Sequence, residues 1–125
     1  MKILVMGGTR FVGKSLVGKL INHNYDIDIF TRGNKSNPKN TNLIKGDRNN
    51  IESILKIKDK KYDVIYDISG RELEQTKLLV ENVADSFKRY IYVSSAGVYS
   101  ENVELPLSEH SPIDPQSRHK GKFET

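Results

Sequence analysis

The chain has 125 residues, a formal charge of +4, and 36% hydrophobic against 29% charged residues, the balance of one water-facing domain with its own core. No apolar stretch approaches the roughly 18–20 residues a membrane span needs. The absence of cysteine excludes disulfides and thiolate metal sites and fits a cytoplasmic setting, and the modest positive charge leans toward acidic partners such as phosphates, cofactors or RNA.

Met1 leads at once into the apolar run Ile3-Leu4-Val5, which reads as a first strand, Lys2–Met6, rather than a signal peptide. Gly7-Gly8-Thr9-Arg10-Phe11-Val12-Gly13 follows it directly. From Phe11 to His23, Val12, Leu16, Val17, Leu20 and Ile21 form one stripe at helical spacing. A second strand is expected over Asp26–Phe30. Gly33–Thr41, rich in Asn, Ser, Pro and Lys, reads as a loop standing where a helix would be. A third strand, Asn42–Lys45, leads to a short helix from Asn50 to Ile57, capped by Asn49 or Asn50. The run Lys56, Lys58, Lys60, Lys61 reads as a solvated helix end. A fourth strand is expected over Val64–Ile68. The steps of three and four in Leu73, Thr76, Val80, Val83 and Phe87 predict an amphipathic helix from Arg71 to Phe87. A fifth strand spans Tyr90–Val93. Glu101–Gln116 holds every proline except Pro38 and reads as a loop. Ser117–Thr125 reads as the start of a further helix, as in the N-terminal part of a longer protein.

The strand runs are apolar, β-branched or aromatic without clean alternation, the pattern of strands buried on both faces. With helices between them, they predict right-handed βαβ units in a parallel sheet. The expected architecture is a Rossmann-type, doubly wound, three-layer α/β/α fold. Its strand order is 3-2-1-4-5, the Arg71–Phe87 helix crosses between strands four and five, and the pocket lies at the carboxyl ends of the strands.

The glycine-rich turn is the sharpest chemical signal. It joins a strand to a helix, the context in which such glycines hold a pyrophosphate. Gly7 permits the tight turn and Gly13 lets the helix pack close to the sheet. The N–H groups at the helix start, with the helix dipole, attract the phosphates. Gly8, Thr9, Arg10, Phe11 and Val12 complete the candidate cradle. Arg10 stands where a middle glycine is usual, so its side chain either points away from the phosphates or reaches over them. At the end of strand two, Phe30-Thr31-Arg32-Gly33 offers no acid for the ribose hydroxyls of NAD. Arg32 suits the 2′-phosphate of NADP instead; the alternative is a solvent-facing turn arginine. Asp28 lies within the strand, too early for the ribose.

Several motifs together resemble the extended short-chain dehydrogenase/reductase superfamily, and within it the NAD(P)-dependent epimerase/dehydratase group. Gly7–Gly13 matches its first signature. Gly46-Asp47-Arg48 is similar to its turn after strand three, where the resemblance implies that Asp47 contacts the adenine. Asp63-Val64-Ile65-Tyr66-Asp67-Ile68-Ser69 matches the strand-four segment that passes the cofactor, which puts Arg48 and Ser69 among the candidate cofactor-binding residues. Tyr92-Val93-Ser94-Ser95-Ala96-Gly97-Val98-Tyr99 matches the strand-five segment. The implied cofactor is NADP or NAD.

In that group a Ser or Thr after strand five works with a Tyr-x-x-x-Lys pair on the next helix, the Tyr acting as the acid/base for hydride chemistry. The resemblance puts Ser95 at the Ser position and Lys122 at the Lys position. Arg118 then occupies the Tyr position, and a guanidinium cannot exchange a proton near neutral pH. A register shifted by two offers only Gln116 and Lys120, and Tyr99 is in the wrong segment. His119 has the chemistry of a base, although a lone His at a helix start is ordinarily solvated.

Gly-Gly-Thr-Arg-Phe-Val-Gly, Phe-Thr-Arg-Gly and Asp-Pro-Gln-Ser-Arg-His-Lys-Gly-Lys resemble a narrower subgroup, the chloroplast stem-loop RNA-binding proteins and their cyanobacterial relatives. That resemblance implies binding of structured RNA, with endonuclease activity, on the same fold; in a eukaryote the compartment would be the plastid stroma. Arg118, His119, Lys120 and Lys122 form a basic cluster able to meet a phosphate backbone. It also reads as a solvated helix start. Residues 1–125 are thus expected to be an NAD(P)-binding domain, with the substrate region further along a longer protein. Three readings remain: a dinucleotide-binding domain with lost or altered redox chemistry, an RNA-binding protein on this fold, or an active reductase or epimerase whose acid comes from a later region.

Overall fold

The computed structural model describes residues 1–95, 98–100 and 104–114. In chain order it contains β1 (Lys2–Met6), α1 (Phe11–Asn22), β2 (Asp26–Thr31), β3 (Asn42–Lys45), α2 (Ile51–Leu55), β4 (Tyr62–Asp67), α3 (Leu73–Val83), a 3-10 turn at Ala84–Ser86, and β5 (Phe87–Tyr92). All neighbouring strands pair in parallel, in the order β3-β2-β1-β4-β5. This is the doubly wound arrangement expected from the sequence.

The apolar runs are continuous because both faces of the sheet are covered. On one face Ile3, Val5, Ile27 and Ile29 pack with Val17 and Leu20 of α1. On the other, Leu4, Met6, Phe30, Ile44 and Ile65 pack with Ile54 and Ile57 around α2 and Leu79 and Val83 of α3. Alternate residues of β1 therefore feed two cores. α1 covers β1 and β2, and it leaves Arg89 and Ile91 of β5, and Val93 just after it, exposed on its side of the sheet.

Several boundaries differ from the sequence reading. β4 begins at Tyr62, and Tyr62 pairs with Phe87. That pairing draws Phe87 into β5, so α3 ends at Val83 and the 3-10 turn closes the gap. Phe87 continues the helical stripe in sequence, but the strand ladder takes it. Leu79, absent from that stripe, is fully buried, whereas Thr76 and Val80 are half-buried. Val12, expected on the buried stripe of the first helix, is 63% exposed. It lies in the first turn of α1, at the carboxyl edge of the sheet. The helix after β3 is shorter than expected, and its cap is Asn50. Residues 34–41 form no helix or strand.

Candidate functional site

Parallel strands bring every loop that follows a strand to one edge. Gly7–Gly13 (after β1), Arg32 (after β2), Asp47 and Arg48 (after β3), Ser69 (after β4) and Ser95 (after β5) thus share the carboxyl edge of the sheet. Arg118, His119, Lys120 and Lys122 lie outside the described residues.

The glycine turn is built by close approach. Gly7 and Gly8 have φ of +98 and +91, which side-chain-bearing residues rarely adopt. A Cβ on Gly13 would stand 2.6 Å from the Gly8 Cα, so only glycine lets the helix close onto the turn. The Gly7 N–H is anchored on the Phe30 carbonyl (3.0 Å). Arg10 is the N-cap of α1 with an extended backbone (φ −138, ψ 151), a conformation any residue adopts, which explains why a non-glycine is tolerated there. Its side chain is exposed and makes no capping bond. The bond from the Lys14 N–H to the Arg10 carbonyl (3.2 Å) opens the helix, and the N–H groups of Phe11, Val12 and Gly13 precede the intrahelical ladder. Phe11 has φ +44 and is 89% exposed, a backbone state in which non-glycine residues cluster at functional turns. Uncapped donors on a glycine-tightened turn fit a pyrophosphate.

Around this turn the other loops are pinned. The Asp47 carboxylate accepts from the Asn49 N–H (2.8 Å) and the Asp47 N–H donates to the Ser53 hydroxyl (3.1 Å), while Asp47 itself stays exposed. Arg32 is exposed beside Gly33, whose N–H donates to the Thr31 hydroxyl (3.1 Å). Ser95 is half-buried just beyond β5, and its carbonyl accepts from the Val98 N–H (3.3 Å). Asp28 is buried in β2. It accepts from the Tyr62 hydroxyl (2.7 Å) and Asn42 (3.0 Å), so its carboxylate is engaged inside the fold. Burial and the Asp28 carboxylate push the Tyr62 phenol well up.

Arg48 is buried and ion-paired rather than open to solvent. Its guanidinium donates to both oxygens of fully buried Asp67 (2.7 and 2.8 Å) and to the Ser69 hydroxyl (2.8 Å). Burial works against the Arg48 charge, but the bond to Asp67 and its attraction outweigh this and raise the Arg48 pKa. Burial and the Asp67 charge likewise push up the phenol of Tyr90, which donates to Asp67 (2.5 Å). The sequence reading missed Asp67 and Tyr90. The available signal was an acid ending the otherwise apolar run Val64-Ile65-Tyr66, a placement that demands a buried partner.

Residues 3–121 match the NAD dependent epimerase/dehydratase family, and the chain belongs to that family; the family name specifies a nicotinamide dinucleotide as cofactor. The chain is 39% identical to the chloroplast stem-loop binding protein of 41 kDa b of Arabidopsis thaliana, over 99% of this chain and 37% of that protein. It is 32% identical to a putative UDP-glucose 4-epimerase of Methanocaldococcus jannaschii, over 92% of this chain and 45% of that protein. It therefore spans less than half the length of these relatives. Among solved structures, the UDP-glucose 4-epimerase of Bifidobacterium longum in complex with NAD+ and UDP shares its fold. The TM-score is 0.77 at 22% identity, over 91% of this chain and 43% of that one. Among the described residues no helix is long and apolar enough to cross a membrane.

Proposed function

We propose that this chain is the dinucleotide-binding part of an epimerase/dehydratase-family protein in which hydride chemistry is lost or altered. The observation that carries the reading is the uncapped start of α1 on the glycine turn. The Gly8–Gly13 backbone holds the pyrophosphate, Asp47 faces the adenosine, and Arg32 favours the 2′-phosphate of NADP. When bound, the nicotinamide supplies a hydride acceptor or donor. Ser95 orients a substrate oxygen and Lys122 holds a ribose, but neither replaces the phenol that moves the proton. Arg118 at that position stays charged. Residues beyond this chain complete the substrate pocket.

Calorimetric titration with NAD and NADP tests the cofactor. Arg32→Ala is expected to weaken NADP about tenfold, the loss of a charge-assisted bond, with little change for NAD. Equal losses overturn the role of Arg32. Coenzyme-coupled turnover that vanishes in Lys122→Ala would overturn the loss of redox chemistry.

A second reading follows from the 39% identity to a protein named for stem-loop binding. In it, Arg118, His119, Lys120 and Lys122 contact an RNA backbone and the dinucleotide is structural or regulatory. Its signature is salt-sensitive affinity for a stem-loop RNA that drops in Arg118→Ala/Lys120→Ala. RNA affinity indifferent to both salt and the double change overturns it.

A further inference from the structure

Two buried aspartates organise polar clusters in this fold. Asp28 joins Tyr62 of β4 to Asn42 of β3, with Lys60 at 3.7 Å. All its partners are fold elements away from the glycine turn. The Asp67 cluster is different. Arg48 reaches it from the loop after β3, Tyr90 from β5, and the Gly70 N–H (2.9 Å) from the loop before α3. Arg48 also holds the Ser69 hydroxyl. Ser69 in turn lies against the glycine turn, since a Cβ on Gly7 would come within 3.1 Å of the Ser69 Cβ. A parallel tie runs from the Gln75 side-chain amide of α3 to Asn49 (2.9 Å).

A buried ion pair is a poor way to gain stability. Its desolvation cost is large, and apolar replacements of both partners are often neutral or better. Here the cluster also leaves the Arg48 Nε buried without a partner. What a bidentate guanidinium–carboxylate pair does supply is fixed geometry. This pair locks two loops of the carboxyl edge, and β5 with them, into one frame, and that frame touches the pyrophosphate turn through Ser69.

We propose that the Arg48–Asp67 pair, closed by Tyr90 and Ser69, is a positioning device for the dinucleotide site. Neither Arg48 nor Asp67 contacts the ligand. Together they set the spacing between the glycine turn, the Asp47 turn and the Ser69–Gly70 loop. The proposal rests on the dinucleotide reading above.

The test pairs thermal unfolding with calorimetric titration of NAD and NADP on the full chain. Arg48→Met/Asp67→Asn removes both charges and keeps an acceptor for the Gly70 N–H. The expected result is a melting temperature close to the parent's, with dinucleotide affinity lower by about tenfold. Tyr90→Phe removes only the hydroxyl on Asp67, serves if the double variant does not fold, and should weaken binding severalfold. Parent-like affinity in a folded double variant, or in Tyr90→Phe, overturns the positioning role while leaving the dinucleotide reading intact. Affinity that falls only in step with melting temperature also overturns it, since the pair is then merely structural. A parent chain that binds neither dinucleotide overturns the reading beneath it.

Discussion

Helices α1, α2 and α3 start at the carboxyl edge of the sheet, and they start in two ways. α2 is capped by Asn50, whose side chain accepts from the Ser53 N–H (3.1 Å). α3 carries a full capping box, in which Glu72 accepts from the backbone of Gln75 and Gln75 accepts from the N–H of Glu72. α1 has neither: its N-cap is Arg10, which makes no capping bond, and no acid sits in its first turn. A helix end that satisfies its own donors is finished as a structural element. One that leaves them open, beside glycines and without competing negative charge, is built for an anion from outside.

The contrast can be broken most severely at Gly13. Gly13→Val puts a branched side chain where even a Cβ would meet the Gly8 Cα at 2.6 Å, contact with backbone that cannot swing aside. The expected loss is about 3 kcal/mol of stability by chemical denaturation, with dinucleotide binding abolished. A Val variant with parent-like stability and affinity would show that the turn is not tight.

The next effect sharpens the contrast by turning α1 into a finished helix. Arg10 already has the extended backbone of an N-cap, so Arg10→Asp should cap the helix and stabilise the ligand-free chain by about 1 kcal/mol. The same carboxylate competes for the open N–H groups and repels phosphate. Dinucleotide affinity should therefore drop as stability rises. The two quantities, read by thermal unfolding and calorimetry, must move in opposite directions.

The smallest effects come from the finished helices. Glu72→Ala should cost about 1 kcal/mol of stability. Asn50→Ala should cost about 0.5–1 kcal/mol, because α2 is short and contributes less to the fold. Both should leave the intrinsic affinity for dinucleotide near the parent value. A large affinity loss in either would mean that these helix starts also serve the ligand.

Much of this was legible in the sequence, for physical reasons. The parallel, doubly covered sheet was legible in apolar runs without alternation, and its order followed from the Rossmann-type reading of a glycine turn between the first strand and helix. The glycine turn was legible because Gly13 reports a backbone contact directly. The Arg48–Asp67 pair was not, since nothing local links residues separated by 19 positions; only the packing of the β3–α2 loop against β4 does. The end of α3 was misplaced because Phe87 satisfies both a helical stripe and a strand, and the pairing with Tyr62 decides between them. The exposure of Val12 was missed because an apolar residue at helical spacing ordinarily reads as core, and the positive φ of Phe11 had no sequence signal.

The central claim is that α1 keeps its first N–H groups for a dinucleotide. Backbone amide NMR tests it most directly, by titrating the chain with NAD and with NADP. The account predicts saturable shifts of the Gly8, Thr9, Arg10, Phe11, Val12 and Gly13 amides, while Ser53 and Gln75, in the first turns of the capped helices, stay nearly still. Saturating dinucleotide that leaves the Gly8–Gly13 amides unmoved, or that shifts the starts of α2 and α3 instead, would contradict it.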